Sequence, residues 1–559
     1  MSAIIILLAG IAAFIAGYAI YSRFIAKRIF ELDPDFETPA HSMEDGIDYV
    51  PTNKYVLWGH HFTSIAGAAP IVGPAIAVIW GWLPAFLWVI FGTIFFAGVH
   101  DAGAIWASVR NRARSVGALS GDLVGSSARS LFMIVIFLLL LMINAVFAVL
   151  IAQLFTDFPE SVFPSVAAII VALALGQLIH RGRIGLPTLS IVGVILLYLS
   201  VYAGSVMPLE LPGPIMGLST NAQWILLLFA YAAIASILPV WVLLQPRDYI
   251  NGLQLFVGLG LVYLSILIVN PTIVAPAIND AVPPGTPPLL PLLFVTIACG
   301  AISGFHGLVS SGTTSKQIRS ESDIRFVGYF GSIGEGSLAL ATILVTTAGI
   351  ASLGEWRTLY SSFGSGGLEA FVLGGGALVS QGIGLSATAS ATLLAVMAVL
   401  FAATTMDTGL RLQRYIVQEW GQMYHLKILT GNSSATLVSV GACLLLAFGV
   451  GGSDGSGGMT IWPLFGTTNQ LLGALTFLII TLLVARKGNA LIYTGLPMLF
   501  LLIVSLTALV VQMADFYKSE QWFLLGLDII VLVAAIWVTL VTSAAISRQI
   551  KANRKAAAD

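Results

Sequence analysis

Apolar residues in this chain run in long blocks separated by short polar connections. A helix that crosses a bilayer needs about 20 mostly apolar residues. Fifteen stretches meet that requirement, near residues 2–22, 58–82, 84–107, 130–155, 162–180, 187–207, 222–245, 252–270, 289–311, 327–352, 385–408, 434–451, 460–484, 490–512 and 522–546. The pattern predicts an all-α polytopic membrane protein of about 15 transmembrane helices. A further hydrophobic stretch at 368–380 is expected to be either a re-entrant piece or part of a connection. The connection 23–57 is acidic as well as basic and is expected to pack against the inner face. Residues 271–288 are rich in proline and carry neither lysine nor arginine.

Charge tests the count. With the N-terminus outside and the C-terminus cytoplasmic, every lysine and arginine except Arg357 and Lys518, of 25 in all, falls in an inner connection. A single mistaken span would invert every later loop, so the positive-inside rule supports the assignment. The first block lacks the basic residues that precede a secretory signal; Arg23, Lys27 and Arg28 follow it instead, which predicts a retained helix.

Composition agrees. The chain is 58% hydrophobic and 9% charged, against about 25% charged for a soluble domain. Its mean hydropathy is +0.95. Lipid is therefore the expected solvent. A net charge of −1 offers no electrostatic footprint for nucleic acid. The two cysteines, Cys299 and Cys443, lie inside apolar runs and read as packing residues. Neither a resident metal nor an organic cofactor is expected.

The seventh stretch carries Pro239 mid-span and Pro246 at its inner end, and the second carries Gly67-Ala68-Ala69-Pro70 followed by Gly73-Pro74. Proline removes a backbone donor and clashes with the preceding turn. At bilayer depth such breaks are tolerated where the freed groups line a cavity or meet other protein groups. The two stretches sit five apart and run in opposite directions. That predicts a 5+5 inverted-repeat transporter core over 58–430, with repeats at 58–207 and 222–430. Residues 1–57 would add one N-terminal helix and its inner loop, and 431–559 about four accessory helices. Two ordinary proline kinks are the simpler alternative.

Ionisable groups inside spans are costly and usually functional. His60 and His61 open the second stretch, and His100 and Asp101 lie in the third. Ser303, His306, Ser310, Ser311, Thr313 and Thr314 crowd the ninth, Glu335 the tenth and Asp407 the eleventh. Asp407 either pairs with Arg411 four residues on or serves coupling. His306 taken alone is either a satisfied core histidine or a functional one. No HExxH or comparable motif supports an intramembrane enzyme, and no soluble output domain supports a sensor.

Six blocks resemble the carbon starvation protein A (CstA) family: HHFTSIAGAAPIVGPA (60–75), ILPVWVLLQPRDY (237–249), SGFHGLVSSGTTSKQI (303–318), GEGSLA (334–339), TTMDTGLRLQRY (404–415) and WPLFGTTNQLLGAL (462–475). The resemblance implies a bacterial or archaeal inner-membrane carrier of pyruvate or peptides, induced by carbon starvation. It also implies a LeuT-like core of the amino acid–polyamine–organocation type. By that likeness Ser310, Ser311, Thr313 and Thr314 become candidates for a sodium-like site. The expected mechanism places a small carboxylate against the backbone donors around Gly67, Ala68 and Ala69, with Trp241, Phe305 and His306 lining the pocket. Coupling would come from a proton through His60, His61, Asp101, His306, Glu335 and Asp407. A sodium ion held by the hydroxyls of 310–314 is the alternative.

Overall fold

The structure is a computed structural model. It describes every residue except 47, 181–184, 216, 240–241, 451, 453 and 557–559, and it leaves the side chains of 179, 180, 186, 245, 456, 457 and 556 undescribed. The regular structure of the described residues is helical, with isolated bridge pairs and no strand.

In chain order the main elements are α1 (Ala3–Ile29), α2 (Lys54–Ala66 and Ala69–Trp80), α3 (Trp82–Val109), α4 (Ser126–Asp157) and α5 (Pro159–Leu178). Then follow α6 (Pro187–Val206), α7 (Thr220–Ile237), α8 (Pro246–Val269), α9 (Leu289–Thr296 and Gly304–Gly312) and α10 (Glu321–Ala348). The rest are α11 (Gly367–Ile383), α12 (Ala387–Met423), α13 (Asn432–Gly449), α14 (Gly458–Lys487), α15 (Ile492–Lys518) and α16 (Trp522–Lys555). Among the described residues, thirteen helices are long and apolar enough to cross a membrane, or 14 with the bent α2 taken as one span. The fifteenth expected span is α9. Its two halves are short helices on either side of an unwound segment, so neither is long enough to cross alone.

Three helices form the centre. In α12 and α14, 94% of the most apolar 18-residue window is buried, and in α4, 89%. By contrast α1, α6 and α16 bury only 33%. Their outer faces show Ile5, Leu8, Ile15, Ile195, Leu199, Val533 and Leu540, which suits contact with acyl chains rather than water. The stretch at 368–380 is helix α11, whose glycines allow close packing. Cβ atoms at Gly374, Gly375 and Gly376 would meet the Val345 carbonyl, Leu394 and Ala391 at 2.3–3.0 Å.

The expected break in α2 is present. Its halves meet at 47°, and Gly67 has φ +50°, a backbone region that a Cβ disfavours. Pro70 sits in the first turn of the second half, where a missing N–H costs nothing. The second break is not where the prolines suggested. Pro239 does not interrupt a span: α7 ends at Ile237, Leu238 is extended, and α8 starts as a separate helix. The interruption lies instead at 297–303 within α9, in the run IACGAIS. Gly300 there has φ +91°.

Candidate functional site

The two interruptions lie against each other. A Cβ at Gly73 would stand 2.5 Å from the Thr296 carbonyl oxygen, and one at Gly300 3.4 Å from the Pro70 Cβ. The two elements α2 and α9 also run in opposite senses. Thr52, just ahead of α2, donates its N–H to the Gln317 carbonyl, just past α9, so the start of one element meets the end of the other.

Unwound backbone buried in protein must find partners. In α9 it does so through side chains. Trp88 Nε1 donates to the Ile297 carbonyl at 3.2 Å, Thr93 Oγ1 to the Gly300 carbonyl at 3.0 Å, and the Gly300 N–H to Glu335 Oε1 at 3.0 Å. At the α2 break the N–H groups of Gly67, Ala68 and Ala69 find no acceptor among the described residues. Opposite Gly67 lie Phe147 and the buried, unpartnered hydroxyl of Thr405. The gap is narrow, since a Cβ at Gly67 would fall 2.5 Å from Thr405 Oγ1.

Beside the breaks is a fully buried ionisable cluster. Asp101 of α3 accepts from three donors: His100 Nδ1 at 2.8 Å, His306 Nδ1 at 2.9 Å and Ser332 Oγ at 2.6 Å. His306 Nε2 lies 3.2 Å from Glu335 Oε2. The approach is poorly aligned for a hydrogen bond, so both atoms remain buried without a partner. One imidazole is thus suspended between two carboxyl groups, all three side chains at most 1% exposed. Glu335, which has no basic residue near it in sequence, acquires an imidazole neighbour through the fold. Isolated charges are expensive here, so the number of protons the cluster holds is tied to what else enters it.

The other expected residues fall in three groups. His61 is buried beside the cluster; its Nδ1 is 2.9 Å from Thr314 Oγ1 and its ring packs on Gly331, next to Ser332. His60 lies apart, 3.5 Å from Asp248 and 23% exposed. Phe305 is buried at the start of the second half of α9, its N–H donating to Asn469 Oδ1 at 3.0 Å. Trp241 lies outside the described residues. Among the α9 hydroxyls, Ser311 donates to the Gly307 carbonyl and accepts from the Val116 N–H, and Thr313 donates to the Val309 carbonyl. Ser310 is buried without a partner.

Asp407 does not pair with Arg411. It contacts Arg247 of α8 and accepts from Tyr231 of α7 at 2.9 Å. Arg411 instead donates to the Ala235 and Leu238 carbonyls, capping the end of α7. The i,i+4 spacing was available, but two open carbonyls and a buried guanidinium compete for these groups. Cys299, read from sequence as packing, also joins the site: its sulfur, His306 and Glu335 offer ligand atoms within 4.8 Å of one another. Asn469 and Thr405 were not singled out, although both sit in blocks quoted above. Ser332 carried no signal.

The connection after α1 closes one end of this centre. Glu321, fully buried, accepts from Arg110 at 2.5 and 2.7 Å and from the Asp33 N–H at 2.7 Å. Toward the opposite end, a cavity of about 250 Å³ is lined by Val72, Ile76, Leu150, Asp157, Gly366 and Glu369.

The chain belongs to the carbon starvation protein CstA family. The family's profile matches residues 2–362 and 352–508. The peptide transporter CstA of Campylobacter jejuni is 32% identical, over 90% of this chain and 80% of its own length. The pyruvate/proton symporter BtsT of Escherichia coli is 30% identical, over 93% and 84%. Among solved structures, a manganese transporter of Eremococcus coleocola aligns with 91% of this chain and 99% of its own at 12% identity. Its TM-score of 0.42 is too low to carry an argument. Membership of a transporter family and thirteen apolar helices among the described residues make this CstA-family chain a multi-pass membrane transporter.

Proposed function

We propose that the chain is a secondary active carrier that takes up a small carboxylate, pyruvate in preference to a peptide, in symport with a proton. One observation carries the reading: His306 is held between Asp101 and Glu335 beside two interrupted helices. The free N–H groups at 67–69 suit a carboxylate, and the tight approach of Thr405 and Phe147 favours a small one. Binding of an anion there and of a proton at the His306–Glu335 pair would keep charge balanced in a dry interior.

The family relative named a pyruvate/proton symporter supports the same choice. So does Ser311, whose oxygen already accepts from the Val116 N–H and is less free to hold sodium. An inverted-repeat core of the LeuT-like kind within 58–430 is part of this reading and rests on the interrupted α2, since α9 lies seven elements on rather than five. In this reading the 30–53 connection faces the cytoplasm of a bacterial or archaeal cell, and 431–559 supplies accessory helices.

The test is uptake of labelled pyruvate into proteoliposomes. Uptake should rise with an inward proton gradient, and Glu335→Gln should lower gradient-driven uptake while leaving the protein folded. Uptake that follows sodium and ignores pH would reject the proton; normal gradient-driven uptake by Glu335→Gln would clear Glu335.

A further inference from the structure

Three side chains at the α9 break have a geometry that proton transfer alone does not require. Cys299 lies in the unwound segment, His306 one turn into the second half of α9, and Glu335 on α10, with ligand atoms all within 4.8 Å. Each is oriented by a further partner. His306 directs Nδ1 at Asp101 and so leaves Nε2 for a ligand role. Glu335 spends Oε1 on the Gly300 N–H and leaves Oε2 free. Cys299 Sγ accepts from Asn469 Nδ2 at 3.2 Å, a donor that steadies a thiolate. A carboxylate behind a ligating histidine and hydrogen bonds behind the other ligands are the usual outer shell of a metal site. The two free atoms, His306 Nε2 and Glu335 Oε2, are both buried without a hydrogen-bond partner and point at one region.

From this we propose that Cys299, His306 and Glu335 form a binding site for a thiophilic divalent cation of the zinc class. Thiolate, imidazole and carboxylate are the donors zinc prefers, and three protein ligands leave a fourth position open. Tetrahedral coordination puts ligand atoms on the order of 3.5 Å apart. The His306–Glu335 pair is already at 3.2 Å, so the adjustment falls on Cys299. That residue has no helix to hold it and neighbours Gly300. Two anionic ligands neutralise the dication, which removes the penalty that an unbalanced charge would carry in this interior. The thiol gives up its proton on binding, so affinity falls as pH falls. All three side chains are buried, so entry waits on opening of the breaks. The proposal concerns binding and stands apart from the direction or coupling of transport.

The test uses the purified full-length protein in detergent, with Co²⁺ as probe and Zn²⁺ as competitor. One Co²⁺ per chain should bind and give a thiolate-to-cobalt charge-transfer band that Zn²⁺ abolishes. Cys443→Ser should keep the band and Cys299→Ser should lose it. Glu335→Gln and His306→Gln should each weaken Zn²⁺ binding roughly tenfold or more. A measurement on the unaltered chain guards against misfolded variants: Zn²⁺ should slow alkylation of Cys299 and leave that of Cys443 unchanged. Absence of stoichiometric Co²⁺, a band that survives Cys299→Ser, or equal protection of both thiols would overturn the site.

Discussion

The contact between Arg247 and Asp407 joins α8 to α12, and both side chains are only 2% exposed. A contact ion pair at an effective dielectric constant of about 20 is attracted by about 4 kcal/mol. Desolvation cancels much of that, so the pair's net worth is small, but the loss of one partner is severe. Asp407→Leu would leave Arg247 charged and buried with Tyr231 as its remaining close partner, at a cost of about 3–5 kcal/mol. Arg247→Met would strand Asp407 to a similar extent. Tyr231→Phe removes two hydrogen bonds, one donated to Asp407 and one accepted from Arg247, while the pair survives, at about 1.5–3 kcal/mol. The double variant Arg247→Met, Asp407→Leu removes both charges and should recover most of the loss. Thermal unfolding in mild detergent, followed by a thiol-reactive fluorophore, is a direct assay because Cys299 and Cys443 are both buried and free. Unfolding of this kind is irreversible, so all variants are compared at one heating rate. Each single charge removal should lower the apparent Tm strongly, and the double variant should melt near the parent. Additive losses in the double variant would mean that the pair is not a closed, buried unit, and the reasoning would fail.

Gly67→Ala places a Cβ 2.5 Å from Thr405 Oγ1 at φ +50°. The backbone strain costs about 1–3 kcal/mol, and pyruvate uptake should be lost. Thr405→Ala should relieve the clash without restoring uptake, because the strain remains; both are read by uptake and melting. Ser332→Ala removes a donor to Asp101 and should destabilise the protein by about 1.5–3 kcal/mol, measured by the same melt. Arg110→Gln breaks the two-point grip on buried Glu321, so hydrogen exchange should rise across residues 33–52 and stay unchanged in α14.

Hydrophobic patterning alone determined that this chain is a helical membrane protein and where nearly all its spans lie. A stretch of about 20 apolar residues has one stable solution in lipid, whatever its neighbours do. The break in α2 was equally legible, because Gly-Ala-Ala-Pro acts locally on φ and on the backbone donor. Proline misled at 239, where it marks the turn between two helices, and the true second break in IACGAIS has no proline. Its backbone unwinds because Trp88, Thr93 and Glu335 supply partners from distant segments, and no local pattern encodes that. The site followed the same division. Titratable residues in apolar runs could be picked out one at a time, since burying them always has a cost. That His306 lies between Asp101 and Glu335, that Asp407 chooses Arg247 over Arg411, and that Cys299 reaches His306 and Glu335 were decided by packing. Apart from Cys299 and His306, seven positions apart, those contacts join residues 29 to more than 200 positions apart, a range at which only the folded arrangement of helices assigns partners.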